Sequence, residues 1–187
     1  VTWTVTDGSG NTATCSQTVT VVDNQNPSIN CPANISVNAD AGQCGAVVTF
    51  SAPTASDNCS ATVSQTGGLP SGSLFPVGPS TVSYTATDPA GNSSSCSFTV
   101  TVSDNQNPSI TCPSNFSAIA PNGNCGANVN FNTPSASDNC PGVTVSQTAG
   151  PTSGSNFPVG STTVTFQATD AVGNVSSCSF TVTVVDV

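Results

Sequence analysis

The sequence predicts an all-β chain built as a tandem of antiparallel β-sandwiches, beads on a string. Three observations carry this. Val, Ile and Phe fall in short runs that alternate with Ser and Thr, the period of a half-buried strand. Gly, Pro, Asn and Asp punctuate the runs with turn chemistry, and no segment carries helical periodicity. The chain also repeats itself. Cys15, Cys96 and Cys178 recur at intervals of 81 and 82 residues, and Cys31 with Cys112, Cys44 with Cys125 and Cys59 with Cys140 at 81.

The repeats divide the 187 residues into a partial unit, 1–24, and two full ones, 25–105 and 106–187. The partial unit matches the end of a repeat, because Trp3 aligns with Tyr84 and Phe166, so the chain reads as opening in mid-domain. Each joint is marked by one motif, Asp23-Asn24-Gln25-Asn26-Pro27 and again Asp104-Asn105-Gln106-Asn107-Pro108. Proline lacks a backbone donor and restricts its neighbour, so Asn-Pro is a place where a strand ends. In the first full repeat Ile35, Val37 and Ala39 read as one strand, and Ala46, Val48 and Phe50 as the inner face of a second. A loop, 51–58, ends in Ser-Asp-Asn-Cys. Thr62 to Gln65 form a weak third strand, and a Gly/Pro/Ser-rich excursion follows. Phe75-Pro76-Val77-Gly78 starts the return, and Val82, Tyr84 and Ala86 form the clearest inward face. Asp88-Pro89-Ala90-Gly91-Asn92 makes a turn into a last strand with Cys96, Phe98, Val100 and Val102 on one side. The second repeat reproduces this with Phe116, Phe131, Val164, Phe166, Phe180, Val182 and Val184. Some seven short strands per repeat indicate a sandwich of immunoglobulin-like type.

Composition excludes several functions. The chain has no Lys, Arg, His, Glu or Met, and nine Asp give a net charge of −9. Nucleic acid is held mainly by Lys and Arg at its phosphates, so such a surface repels it. No apolar run approaches the roughly 20 residues of a membrane span. Nine cysteines at repeated spacings point to disulfides and an oxidising, extracellular compartment. The absence of His and of any CxxC pair argues against zinc. A serine or cysteine nucleophile has no His, Lys or Glu to serve as its base, so no enzyme is expected. The chain starts without Met or a visible signal peptide and reads as mature or excerpted.

The order Cys-Pro, Gln-Cys-Gly, Ser-Asp-Asn-Cys, Phe-Pro-Val-Gly, Ala-Thr-Asp-(Pro/Ala)-(Ala/Val)-Gly-Asn, then Ser-Cys-Ser-Phe-Thr-Val-Thr-Val resembles the hyalin repeat (HYR) domain over nearly the whole chain. The resemblance implies an immunoglobulin-like fold in secreted, cell-surface or matrix proteins, in tandem and linked to adhesion, with no catalytic activity. In such a sandwich the first and last strands run parallel from the same end, which brings Cys31 to Cys96 and Cys112 to Cys178. Elimination then leaves Cys44 with Cys59 and Cys125 with Cys140, although four cysteines allow three pairings. Cys15 is left for a partner upstream or in another subunit.

Eight of the nine aspartates recur by position. The turn residues Asp88 and Asp170, the joint residues Asp23 and Asp104, and Asp57 and Asp138 before a cysteine are traced to common ends of the sandwiches. Asp23, Asp57 and Asp88 then converge with the carbonyls of Asn24, Asn26 and Asn58. Asp104, Asp138 and Asp170 converge with Asn105, Asn107 and Asn139. Calcium takes six to eight oxygen ligands with tolerant geometry, so this inventory suits it; magnesium stays open. The competing reading is that Asp and Asn only make Asx turns. Asp40, opposite Pro121 in the alignment, reads as a solvated turn residue.

Two functions compete. The first is a structural repeat protein, a stalk, matrix strand or polymeric filament whose repeats meet head-to-tail, with joints rigidified by calcium. Lack of Lys and Arg denies trypsin-like proteases their cleavage points, and lack of Lys excludes Lys–Asn isopeptide cross-links. The second is an adhesion module for a protein or glycan, whose best candidate surface is the excursion Gly67 to Leu74 against Ala149 to Asn156. Trp3 and Tyr84 fall on the inward face, which leaves no aromatic platform for sugars. Sequons stand at Asn34, Asn58, Asn92, Asn115 and Asn174.

Overall fold

The structure, a computed structural model, describes residues 1–186. Its regular elements are all strands. Residues group into two compact units: Val1–Pro32 with Ser51–Gly68 and Val82–Phe98, and Ala33–Phe50 with Leu69–Thr81 and Thr99–Val187.

The second unit contains the second repeat entire. Its main sheet has the order β12-β18-β17-β15: β12 (Phe116–Ile119), β18 (Val175–Val185), β17 (Gly160–Thr169) and β15 (Thr144–Ala149). Strands β17 and β18 pair antiparallel over ten residues, with Val164 opposite Phe180 and Phe166 opposite Cys178. β12 adds in parallel to the end of β18, Phe116 opposite Val182. Two short pairs complete the repeat: β13 (Gly126–Asn128) with β16 (Asn156–Pro158), and β11 (Ser109–Thr111) with β14 (Ser135–Ser137). Alternation decides which side chains enter. Val164, Phe166 and Ala168 on β17, and Phe180, Val182 and Val184 on β18, are all buried, while their neighbours are not. Phe131 packs edge-on against Phe157, Phe166 and Phe180, with ring centroids 6.2, 6.2 and 5.2 Å apart. Gly126 follows the turn cysteine because a Cβ there would run into the carbonyl oxygen of Phe157 on β16.

The first repeat has the same strand order, β4-β10-β9-β7, from β4 (Ile35–Asn38), β10 (Ser93–Ser103), β9 (Gly78–Thr87) and β7 (Thr62–Gly67). β10 and β4 are again parallel, Val100 opposite Ile35. β5 (Gly45–Val48) pairs with β8 (Ser73–Pro76), and β3 (Ser28–Asn30) with β6 (Thr54–Ser56). Strands β3 and β6 fall within the joint and the 51–58 loop of the sequence pattern. Each has one apolar residue in three, too few to show alternation. Asp40 does more than meet solvent: its carboxylate accepts the Val47 N–H at 2.9 Å. The excursion is fastened, since Ser71 Oγ accepts from Phe50 N–H and donates to Phe50 O, both at 2.8 Å. Ser153 does the same to Phe131.

In the first unit β1 (Thr2–Thr6) and β2 (Thr12–Ser16) form a hairpin, Trp3 opposite Cys15. Here the expected inward aromatic is corrected. Trp3 is 61% exposed because, among the described residues, β1 and β2 pair only with each other, whereas Tyr84 is buried.

The disulfides require a larger correction. Cys31 bonds Cys96, and Cys112 bonds Cys178, each joining the lead-in of a first strand to a last strand. Cys44, however, bonds Cys140, and Cys59 and Cys125 are free thiols, as is Cys15. The second repeat shows why Cys125 and Cys140 do not pair. Cys140 sits with Asp170, whose turn precedes β18, while Cys125 follows the Ala120–Val185 hydrogen bond at the far end of that strand. β18 has 11 residues, so at about 3.4 Å per residue the ends lie some 35 Å apart. A disulfide needs Cα atoms within about 7 Å. In the first repeat Cys44 likewise adjoins the end of β10, through Ala39 N–H to Ser103 O.

Candidate metal centre at the joints

Each joint gathers three aspartates. Asp23, Asp57 and Asp88 bring one carboxylate oxygen apiece within 4.8 Å of the others, and so do Asp104, Asp138 and Asp170. Two oxygens on one calcium ion, each about 2.3–2.6 Å from it, lie at most about 5 Å apart, so the spacing fits.

The geometry satisfies turn chemistry and metal chemistry together. Asp23, Asp57, Asp104 and Asp138 each spend one oxygen on the backbone N–H two residues ahead, at 3.0, 3.0, 3.1 and 3.1 Å, which is an Asx turn. The other oxygen of Asp23, Asp57 and Asp104 is buried without a hydrogen-bond partner, as is Oδ1 of Asn139. Asp104 is itself 9% exposed. Buried polar atoms are normally paired, so orphaned carboxylate oxygens aimed into a cluster of their own sign call for a cation. The donor set is all oxygen, which suits calcium or magnesium and not a soft metal.

Asp88 and Asp170 are held from their own turns. Asn174 donates its backbone N–H to Asp170 Oδ1 at 2.8 Å and its amide to Oδ2 at 2.8 Å. The same amide reaches Asp104 O at 3.2 Å. Asn92 ties Asp88 to Asp23 O in the same way. Asp7 and Asn11 make this turn in β1–β2 although Asp7 belongs to neither three-aspartate group among the described residues, so the turn does not depend on such a group. Asn58 donates to Asp23 Oδ1 at 3.5 Å, and Asn139 to Asp104 Oδ1 at 3.3 Å. Asn24, Asn26, Asn105 and Asn107 are exposed residues of the linking segments.

Gln106 is a participant that the aspartate pattern did not point to, and here it joins the expected Asn139. Gln106 donates to Asp40 O at 3.0 Å and accepts from Gly42 N–H at 3.0 Å, and Asn139 donates to Gln43 O at 2.9 Å. With Cys44–Cys140 they seat the 40–44 turn against the second repeat. The recurrence of Gln25 and Gln106 at one motif position was the available signal. Among the sequons, Asn92 and Asn174 commit their amide nitrogens to this framework, whereas Asn34 and Asn115 use only their carbonyl oxygens, accepting from Thr99 and Thr181 N–H.

Electrostatics follow these bonds. The Gln25 N–H, then the Cys59 thiol and the Asn58 amide, hold the Asp23 carboxyl below its usual range. The same contact, with burial and the charges of Asp23, Asp57 and Asp88, pushes the Cys59 thiol up. Burial opposes the charge of Asp170, but the Asn174 amide and the N–H groups of Asn174, Gly173 and Val172 outweigh it and lower the pKa. A carboxyl lowered on folding stabilises the native state above its unfolded value and loses that contribution as pH falls through the folded one. Thermal melts from pH 7 to 2 should therefore show Asp170→Asn less stable than wild type near neutrality, with the gap closing below about pH 4. A gap that is unchanged at pH 2 contradicts this account.

Residues 22–102 and 103–184 match the HYR domain. The chain belongs to the HYR family. Hyalin of Strongylocentrotus purpuratus is 41% identical over 193 residues, covering 98% of this chain and 16% of its own length. Hyalin of Lytechinus variegatus is 36% identical, covering all of this chain and 36% of its own. A rat protein named for its sushi, von Willebrand factor type A, EGF and pentraxin domains is 35% identical over 87% of this chain and 4% of its own. The chain thus spans well under half the length of the curated relatives it matches. These two HYR repeats, with three disulfides, form an extracellular repeat module.

Proposed function

We propose that these HYR repeats build a structural extracellular strand, a stalk, matrix strand or filament, and that calcium bound at each joint stiffens it. The observation that carries this is the repeated three-aspartate group with orphaned buried oxygens, found at two joints and nowhere else among the described residues. Repetition supports a spacer over a specific binder. The adhesion reading needs a single-copy exposed feature, and the excursions at 67–74 and 149–156 are instead fastened alike by Ser71 and Ser153.

Calcium added to chelator-treated protein should titrate two sites by calorimetry and reduce flexibility in X-ray scattering. Asp104→Asn keeps the acceptor for the Gln106 N–H, so the turn persists while a charge is lost. It should weaken one site by about 10- to 100-fold or more, the loss that even an outer-shell change brings, and spare the site of Asp23. Absence of binding heat together with equal scattering profiles would defeat the calcium proposal.

A further inference from the structure

We propose that Cys59 and Cys125 are halves of two further inter-repeat disulfides. Their partners are the equivalent cysteines of the preceding and following repeats in one chain, so that a bond laces every joint. This rests on the structural reading above and adds a covalent modification to it.

The joint at Asp104 has two complementary halves. One is the 40–44 turn, which offers Asp40 O, Gly42 N–H, Gln43 O and the Cys44 sulfur. The other is the Asp104, Gln106, Asn139 and Cys140 group, which takes all four. The sequence supplies each half a second time. Asp23, Gln25, Asn58 and Cys59 repeat the receiving half residue for residue, and Gly123 and Cys125 repeat the turn. Gly42 and Gly123 share a left-handed backbone, with φ of 71° and 80°. Pro121 and Asn124 replace Asp40 and Gln43, but those two positions act through carbonyl oxygens, so the change of side chain leaves the contacts available.

Exposure reports which halves are filled. Cys140 is 8% exposed, and Gln106, Asn139 and Cys44 are half-buried. Their counterparts Cys59, Gln25, Asn58 and Cys125 are all exposed. Asp23, Gln25, Asn58 and Cys59 in one unfilled half, and Gly123 and Cys125 in the other, have the identity of the residues at the filled joint, and lack only the opposite half. Because Cys44 finds its partner in the next repeat, its counterpart Cys125 cannot be served within its own.

Formation of each bond removes a proton and an electron from each of two thiols. The oxidant is a small-molecule or enzymic disulfide, which is reduced to two thiols by exchange.

The test is disulfide mapping on the protein as isolated from its natural source, alkylated before reduction and cut with an Asp-specific protease, since trypsin has no sites. Cys44 should appear linked to Cys140. Cys59 should be linked to a Gln-Cys-Gly-type peptide of a preceding repeat, and Cys125 to an Asp-Asn-Cys-type peptide of a following one. Neither Cys59 nor Cys125 should alkylate before reduction, and both should afterwards. Alkylation of either before reduction overturns the proposal, as does a bond from Cys59 to Cys44 or between copies of the same chain. Calcium titration and scattering report on the structural reading separately, so lacing can fail while that reading stands.

Discussion

Phe180→Ala should lower the stability of the second repeat by about 3–5 kcal/mol, the range for removing a buried aromatic. Phe180 is 2% exposed and is the ring on which others converge. Phe131 meets it edge-on at 5.2 Å, and Phe116 and Phe166 stack on it at 6.0 and 6.5 Å. Val164, which stands opposite Phe180 in the β17–β18 ladder, is a short branched side chain that reaches little way into the void the lost ring would leave. Domains of this size hold about 5–15 kcal/mol in total, so the variant loses a large part of its margin. At roughly 4–8 °C per kcal/mol the melting point should fall by more than 10 °C in scanning calorimetry. Val47→Ala, at a site 57% exposed, should stay within about 0.5 kcal/mol. A fall of under about 1 kcal/mol for Phe180→Ala would mean that the aromatic cluster is not the centre of this core.

Replacing Cys112 and Cys178 together by Ser should cost the same repeat nearly as much. The bond closes a sequence separation of 66 residues, which in the chain-entropy model contributes about 4 kcal/mol by limiting the unfolded chain. Cys178 also packs against the buried cluster, so the serine hydroxyls lose apolar contact as well. Urea unfolding should shift its midpoint strongly downward. The slope should rise, because an uncrosslinked chain exposes more surface. An unchanged midpoint would show that the β12–β18 ladder alone fixes these strands.

Much of the sandwich was legible because its faces alternate cleanly. Val82, Tyr84 and Ala86 sit on one side of β9, and all are buried. The parallel first and last strands were enough to put Cys31 beside Cys96. The two aspartate groups were legible through recurrence, since a residue needed at every joint appears at every period. Other features left no local trace. Strands β3 and β6 are three residues long and mostly polar. Cys44 and Cys59 lie near each other in sequence, which invited a short loop, but proximity in sequence does not tell which end of a strand a residue occupies. The partner of Cys44 is 96 residues away in the next repeat, where elimination within one repeat could not reach. Exposure of Trp3 follows from what does not cover it, which residues 1–24 do not encode.

The Cys31–Cys96 bond has a consequence under tension. A chain pulled from both ends carries force along its shortest covalent route. In the first HYR repeat that route enters at Cys31, crosses the sulfurs to Cys96 and leaves along β10 to Ser103. The residues between 31 and 96 hang beside it as an unloaded loop, and they include β4 to β9. Without the bond, rupture would pay out a segment with a separation of 65 residues, on the order of 200 Å at full extension. With it, the repeat acts as an inextensible link even when its sheet has melted. Cys112 and Cys178 give the second repeat the same property, so heat or denaturant can soften these beads without lengthening the thread.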